Sequence, residues 1–170
     1  MKLKKVYTAA AVFFLVALYI VIFSFSAEDG ESSSELSGRV TRALMDFYYR
    51  ITKGAGEYEP AYFVYTSLPI ENIIRKLAHF MEYLCMGLLS YSLVVMWYGT
   101  AAKGRLLVLL QIFISAGLDE FHQYFIPGRC ASFKDVLIDT AGGGLGILLI
   151  LAGAGAGTAF RKPGRNKRAE

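Results

Sequence analysis

Ionisable side chains lie inside or beside hydrophobic segments that are long enough to cross a bilayer. Because charge within a membrane is costly and seldom incidental, each such residue is a functional candidate. Carboxylate and imidazole groups together can carry general acid–base chemistry, and the same groups can bind a ligand. The catalytic candidates are His79, Glu82, Asp119, Glu120 and His122, and the binding candidates are Lys76, Gln123, Arg129, Asp135 and Asp139.

The composition predicts an integral, all-α membrane protein. The 170 residues are 55% hydrophobic, and the mean hydropathy is +0.42. A soluble domain of this length has too little interior to bury so much apolar surface. The bilayer is therefore the first expected partner.

Four segments are predicted to be transmembrane helices of one domain spanning residues 1–170. The first could be a signal peptide cleaved near Ser24–Ser26, but its 20 uncharged residues favour a retained anchor. The predicted spans are 6–25, 77–98, 106–126 and 136–160, and a basic tail follows at 161–170.

The basic residues predict a multi-pass protein of the cell membrane with both termini in the cytoplasm. The two termini and the short loop 99–105 carry ten of the 18 Lys and Arg residues, and the long segment 26–76 is net acidic. Short basic tails flank membrane spans routinely, so nucleic acid is not an expected partner. No particular oligomeric state is predicted.

A short amphipathic helix is predicted in the first outer loop. Ser32 and Glu35 fit a capping box, and apolar residues follow at spacings of three and four. The helix is expected on the outer leaflet or across the end of the bundle, where packing is its simplest use. Pro69 is expected to open the approach to the second span.

Helix rise predicts that the ionisable residues share one depth. His79 lies about 5 Å and Glu82 about 9 Å below Lys76, while Asp119 lies about 10 Å from Ile126. Asp139 follows Asp135 by one turn, on the helix face that also carries small residues of the type that let helices pack closely, as in Gly142-x-x-x-Gly146. The carboxylates are therefore expected to face the bundle interior.

A structural interpretation accounts for each residue separately. Each histidine could tie helices together, and Arg129 could bridge to Asp135 or Asp119. This structural interpretation explains less well why at least five acidic residues lie together with few cationic residues nearby. Unpaired carboxylates at such a depth would be partly protonated or would hold a cation or ligand.

Four ordered motifs resemble the VanZ-like family: Arg75–Tyr83, Asp119–Gln123, Pro127–Arg129 and Asp135–Thr140. The resemblance implies a bacterial integral membrane protein linked to teicoplanin resistance. It also implies that asparagine can replace Asp139. It implies no settled reaction.

Three classes of function follow from these observations. The favoured one is an envelope protein that gives glycopeptide tolerance by binding a lipid-linked cell-wall precursor or a lipoglycopeptide at an outer-leaflet polar site. The alternative is a membrane-embedded enzyme that acts on a lipid head group or peptidoglycan precursor by carboxylate and histidine acid–base chemistry. A transporter ranks last, because the cytoplasmic halves of the spans carry no acids.

The sequence also offers a metal site, which we do not favour, so no cofactor is predicted. His79-x-x-Glu82 and Asp119-x-x-His122 are i, i+3 pairs of the kind that hold metals in helical bundles. Cys85 and Cys130 form no zinc motif. The sequence also lacks HExxH and GxSxG, which mark common hydrolases.

Overall fold

The chain is a helical membrane protein. The computed structural model describes residues 1–52 and 60–159, with no side-chain environment for 49, 60–69 and 155–159. The helices are α1 (Lys2–Ser26), α2 (Gly30–Thr52), α3 (Pro60–Tyr98), α4 (Ala102–Gln123) and α5 (Phe133–Ala159). The described residues form no strand, which confirms the all-α prediction. The predicted tail at 161–170 lies outside them.

Three of the helices are long and apolar enough to cross a membrane, over Lys2–Ser26, Ile70–Tyr98 and Phe133–Ala154. Within the described part of the chain, α4 does not join them, because it carries charge at both ends of its 22 residues. The count of four spans therefore stays a prediction.

Two helix starts differ from the predictions. The helix of the second span begins at Pro60 and continues through Pro69, so the expectation that Pro69 opens it is wrong. The second helix begins at Gly30, where the Asp29 carboxylate accepts a 2.7 Å bond from the Ser32 N–H. Asp29, not Ser32, is the cap. Glu35 instead pairs with Arg39 at 2.6 Å.

The α3 helix is the centre of the bundle and contacts all four other helices. Its closest neighbour is α5, where glycine backbones meet: a Cβ on Gly87 would lie 2.1 Å from the carbonyl oxygen of Gly143. A Cβ on Gly146 would lie 2.5 Å from the Leu84 carbonyl oxygen. The absent side chains let two backbones approach and align the polar ends of the helices.

A second close approach joins the α4–α5 connection to the start of α2. The Gly30 N–H donates to the Pro127 carbonyl at 3.0 Å. A Cβ on Gly30 would lie 2.2 Å from the Gly128 carbonyl oxygen, and Gly128 has a φ of +73° that favours glycine. The Pro127–Arg129 turn is thereby fixed over the end of α1.

Neutral side chains connect α1 to α4 nearer the middle of the bundle. The Tyr19 hydroxyl accepts a 2.8 Å bond from the Gln111 amide and lies 2.8 Å from the Ser115 hydroxyl. We call Tyr19, Gln111 and Ser115 the neutral network. Each of its polar groups has a partner on the facing helix.

Candidate functional site

Three helices bring ionisable side chains to one place. His79 of α3, Asp119 of α4 and Asp139 of α5 each offer a ligand atom, and these atoms all lie within 4.8 Å of one another. Asp119 and Asp139 are buried and His79 is half-buried. Together with Glu82, one turn along α3 from His79, we call these residues the charged layer.

Several polar atoms of this layer have no hydrogen-bond partner. They are His79 Nδ1, Glu82 Oε2 and Asp119 Oδ1, all buried. The first two lie 3.5 Å apart, which is within ion-pair reach but outside good hydrogen-bond geometry. The Tyr83 hydroxyl, fully buried and in electrostatic range of Asp119 and Asp139, is also unpartnered. An unpaired buried polar atom is costly, so the layer is a candidate for binding a ligand.

The other oxygen of Asp119 is held in place. The Gln123 amide donates to Asp119 Oδ2 at 3.2 Å and to the hydroxyl of Ser26 at 3.1 Å. Ser26 is the last residue of α1 and is fully buried. Gln123 therefore ties the carboxylate to α1 and orients it.

Glu120 and Asp135 differ from the charged layer because each has a close partner. Glu120 accepts a 2.7 Å bond from the Ser132 N–H, and Asp135 pairs with Lys76. The Glu120 bond fixes the start of α5. These groups line the same small cavity as Asp139, so they lie beside the layer.

Arg129 lies over the end of α1 and not against an acid. Its Nε donates to the Glu28 carbonyl at 3.1 Å and its Nη2 to the Phe25 carbonyl at 3.0 Å. Burial, and then the nearby Arg75 guanidinium, lower its pKa from the ordinary 12.5. The expectation that it bridges to Asp119 or Asp135 is wrong, since the carbonyl oxygens at the end of the helix accept its hydrogen bonds instead.

Two cavities meet at the charged layer and share Arg75, His79 and Arg129 as lining residues. The smaller, of about 40 Å³, is polar and includes Lys76, Glu120, Gln123, Asp135 and Asp139 in its lining. The larger, of about 260 Å³, lies between α2 and α3 and has Glu82 in its lining. Its lining also includes the apolar residues Leu36, Val40 and Ile74.

The structure thus places nine of the ten candidates in one region, and His122 is set apart. His122 is half-buried, its ring centroid is 6.3 Å from that of Phe23, and it lines neither cavity. Sequence reasoning missed Ser26 and the α2 wall of the larger cavity, which no local pattern marks. Arg75 was detectable, because it precedes His79 by four residues on one helix face.

Comparison with known proteins identifies one related family. Residues 11–154 match the model of the family described as VanZ/LLP1, which confirms the resemblance drawn from the motifs. No curated protein and no solved structure matches the chain at a significant level.

Proposed function

Because the chain belongs to the VanZ/LLP1 family, we propose that it is an envelope membrane protein that lowers susceptibility to glycopeptides such as teicoplanin. It does so by binding an amphiphile of the outer leaflet, either a lipid-linked cell-wall precursor or a lipoglycopeptide. The larger cavity is the binding site, and no bond is made or broken in this role.

The proposed topology has four membrane crossings with both termini in the cytoplasm. The α4 helix supports the fourth crossing, since 22 residues span about 33 Å, close to the hydrocarbon thickness of about 30 Å. Large apolar side chains point outward along its length, including Leu106, Leu110, Leu118 and Phe121, each at least half exposed. Lipid is the environment that suits such a surface.

The α2 helix is proposed to lie at the outer leaflet with its apolar side away from the bundle. Ser37 and Thr41 are buried, whereas Leu44, Phe47 and Ile51 are more than half exposed. Exposed apolar side chains on a helix that also exposes basic residues, here Arg39 and Arg42, are expected at the head groups of a membrane. The larger cavity then opens toward the acyl chains between α2 and α3.

The observation that carries the proposal is the mixed lining of that cavity. The lining includes Leu36, Val40 and Ile74, which suit a hydrocarbon chain, and Arg75 and Arg129, which suit an anion beside the acids Glu28 and Glu82. Its 260 Å³ is just below the range of about 300–1,000 Å³ for small-molecule sites. It therefore accommodates a head group and the start of a chain, with the remainder in the bilayer.

Arg75 is the proposed anion contact. Its guanidinium donates to Asn72 Oδ1, one turn back on its own helix, at 2.7 Å, and makes no ion pair within the described residues. A ligand phosphate or carboxylate can take up its remaining donors. Arg129, in contrast, is hydrogen-bonded to carbonyls at the end of α1, so substituting it would also disturb the fold.

The test is drug susceptibility in a sensitive Gram-positive host at matched membrane abundance. The wild type is expected to raise the teicoplanin concentration needed for inhibition more than that of vancomycin. Arg75→Gln should return it to the value of cells without the protein, because the cationic contact is lost. Arg42→Gln, an exposed charge of α2 outside both cavities, is the matched control and should protect fully. Full protection by Arg75→Gln would reject the site.

An enzymatic role is the second candidate, and the His79–Glu82 pair favours it. The two side chains are 3.5 Å apart and both line the larger cavity, where a head group would lie. Such a pair can supply a general base and the carboxylate that orients it. Purified protein incubated with radiolabelled lipid-linked precursor would then release a new product, and His79→Gln would not. An unchanged precursor would remove this role and leave the binding role intact.

A further inference from the structure

The charged layer is deficient in positive charge. In the described residues, no lysine or arginine lies within 4.0 Å of its three carboxylates. The nearby cations do not pair with these carboxylates, since Lys76 pairs with Asp135, Arg129 bonds backbone carbonyls, and Arg75 bonds only the neutral Asn72. Carboxylates buried without a partner are neutralised by protons or by a bound cation.

The geometry favours a bound cation. His79, Asp119 and Asp139 come from three helices, and their nearest ligand atoms lie within 4.8 Å of one another. Ligands about 2.1 Å from a tetrahedral ion are about 3.4 Å apart, so small side-chain rotations would close the group. One neutral imidazole and two carboxylates also balance a 2+ charge, which leaves a neutral site in a region of low dielectric.

A separate observation comes from Asp119, which is fully buried. Gln123 occupies its Oδ2, and its Oδ1 has no hydrogen-bond partner. The free oxygen is the one that remains for the group, and Gln123 has the position of an outer residue that orients a ligand. Glu82, 3.5 Å from His79 Nδ1, has the position of the carboxylate that usually accompanies a metal-binding histidine.

We propose that His79, Asp119 and Asp139 bind one divalent cation with a preference for mixed nitrogen and oxygen ligands, for which Zn²⁺ is the best probe. Three protein ligands leave one coordination position open, as in sites that also accept water or an anionic ligand. The cation balances the charges of Asp119 and Asp139 and locks α3, α4 and α5 together. This site shares His79 with the larger cavity, but its test measures bound Zn²⁺ and not drug protection, so either proposal can fail alone.

The experiment measures Zn²⁺ on the full chain in detergent, purified without a histidine tag and first stripped with a chelator. After Zn²⁺ loading and desalting, the wild type should retain one ion per chain. His79→Ala and Asp119→Asn should retain none, and Asp139→Asn, which keeps a ligand oxygen, should bind more weakly. Gln123→Ala removes only the orienting residue and should weaken binding by about 10–100-fold.

Two controls match these variants closely. His122→Ala removes the other of the two histidines, and Asp135→Asn removes a carboxylate of the same helix that already pairs with Lys76. Both should retain one Zn²⁺ per chain. Equal retention by His79→Ala and the wild type, or equal loss in His79→Ala and His122→Ala, would overturn the site.

A spectroscopic measurement on the wild type covers the case in which variants do not fold. Zinc X-ray absorption should show nitrogen and oxygen neighbours at about 2.0–2.2 Å with one imidazole. A sulfur neighbour would place the ion at Cys85 or Cys130 and reject the proposal. Failure of the wild type to retain Zn²⁺, Co²⁺ or Mn²⁺ would also reject it and assign neutralisation to protons.

Discussion

The charged layer and the neutral network bring polar side chains from different helices together, but they satisfy them differently. In the neutral network, the Tyr19 hydroxyl is bonded to both Gln111 and Ser115 at 2.8 Å. In the charged layer, buried atoms of His79, Glu82 and Asp119 have no hydrogen-bond partner. A satisfied contact stabilises a bundle, whereas an unsatisfied one is retained when a ligand completes it.

Unpartnered atoms outside the layer differ in kind. The hydroxyls of Ser90 and Tyr91 are also buried without partners, but both groups are neutral. Leaving a hydroxyl unpaired costs less than leaving a carboxylate unpaired. The comparison therefore separates a region whose polar groups are paired from one in which charged groups are not, and four substitutions or conditions test what this difference means.

The largest effect is expected from Glu82→Gln. The amide has the shape of the carboxylate but loses the ion pair with His79, 3.5 Å away, whose ring lines the cavity where the head group would lie, so protection against teicoplanin should be abolished. Thermal stability in detergent should not fall, because the carboxylate makes no hydrogen bond and its amide replacement carries no charge near Asp119. Retained protection, or a clear loss of melting temperature, would make Glu82 structural and erase the contrast between the two regions.

A substitution outside the charged layer should displace the Pro127–Arg129 turn. Gly30→Ala places a methyl group 2.2 Å from the Gly128 carbonyl, so the turn that carries Arg129 must move. We expect the free energy of unfolding to fall by about 1–3 kcal/mol, measured by denaturant titration. Gly117→Ala is the control, because a Cβ there meets nothing within 4 Å, and it should raise stability by about 0.5–1 kcal/mol. Equal effects would show that the close approach is unimportant.

The neutral network should respond in the opposite way to the charged layer. Tyr19→Phe leaves the Gln111 amide and the Ser115 hydroxyl without their shared partner, so stability should fall by about 1 kcal/mol. Protection at matched abundance should persist. Tyr7→Phe, which loses a single bond to Ser92, should cost less. Loss of protection in Tyr19→Phe at full abundance would join the two regions into one functional unit.

The smallest effect is expected from acid at the start of α2. The Ser32 N–H holds the pKa of Asp29 below its ordinary 3.8. The cap therefore stabilises α2 above that value and is lost as the pH falls through the lower, folded-state pKa. The protection factors of the amides of residues 30–33, which are exchange rates corrected for the intrinsic effect of pH, should fall on acidification in the wild type. Asp29→Asn keeps a capping oxygen without a titrating group and should show no such change.

The region of the charged layer was predictable from local rules. A rise of about 1.5 Å per residue and a repeat of 3.6 placed His79, Asp119 and Asp139 at one depth and on inward faces. The close packing of α5 through its glycines was also predictable, because the spacing Gly142-x-x-x-Gly146 lets neighbouring helices approach closely. The pairing within the region was not predictable. The metal candidates drawn from i, i+3 spacing included His122, whereas the structure groups His79 and Asp119 with Asp139.

Competition between equivalent local signals explains the other differences. Asp29 and Ser32 are both good N-cap residues, and Asp29 is the cap in the structure. The next residue, Gly30, donates its N–H to the Pro127 carbonyl of a distant loop, which favours this helix start. Arg129 had two nearby acids in the sequence, yet the end of α1 offered it carbonyl oxygens. Neither choice is visible from spacing along the chain.

The sequence by itself determined the all-helical class and the order of the helices, because hydropathy and helix period are properties of short segments. Tertiary structure alone decided which groups have partners: Glu120 with Ser132, Asp135 with Lys76, and the buried Asp119 oxygen with none. Partners across helices depend on rotation and close approach, which glycine contacts and turns set over distances of many residues. That unequal distribution of partners is why we propose a binding role for this region.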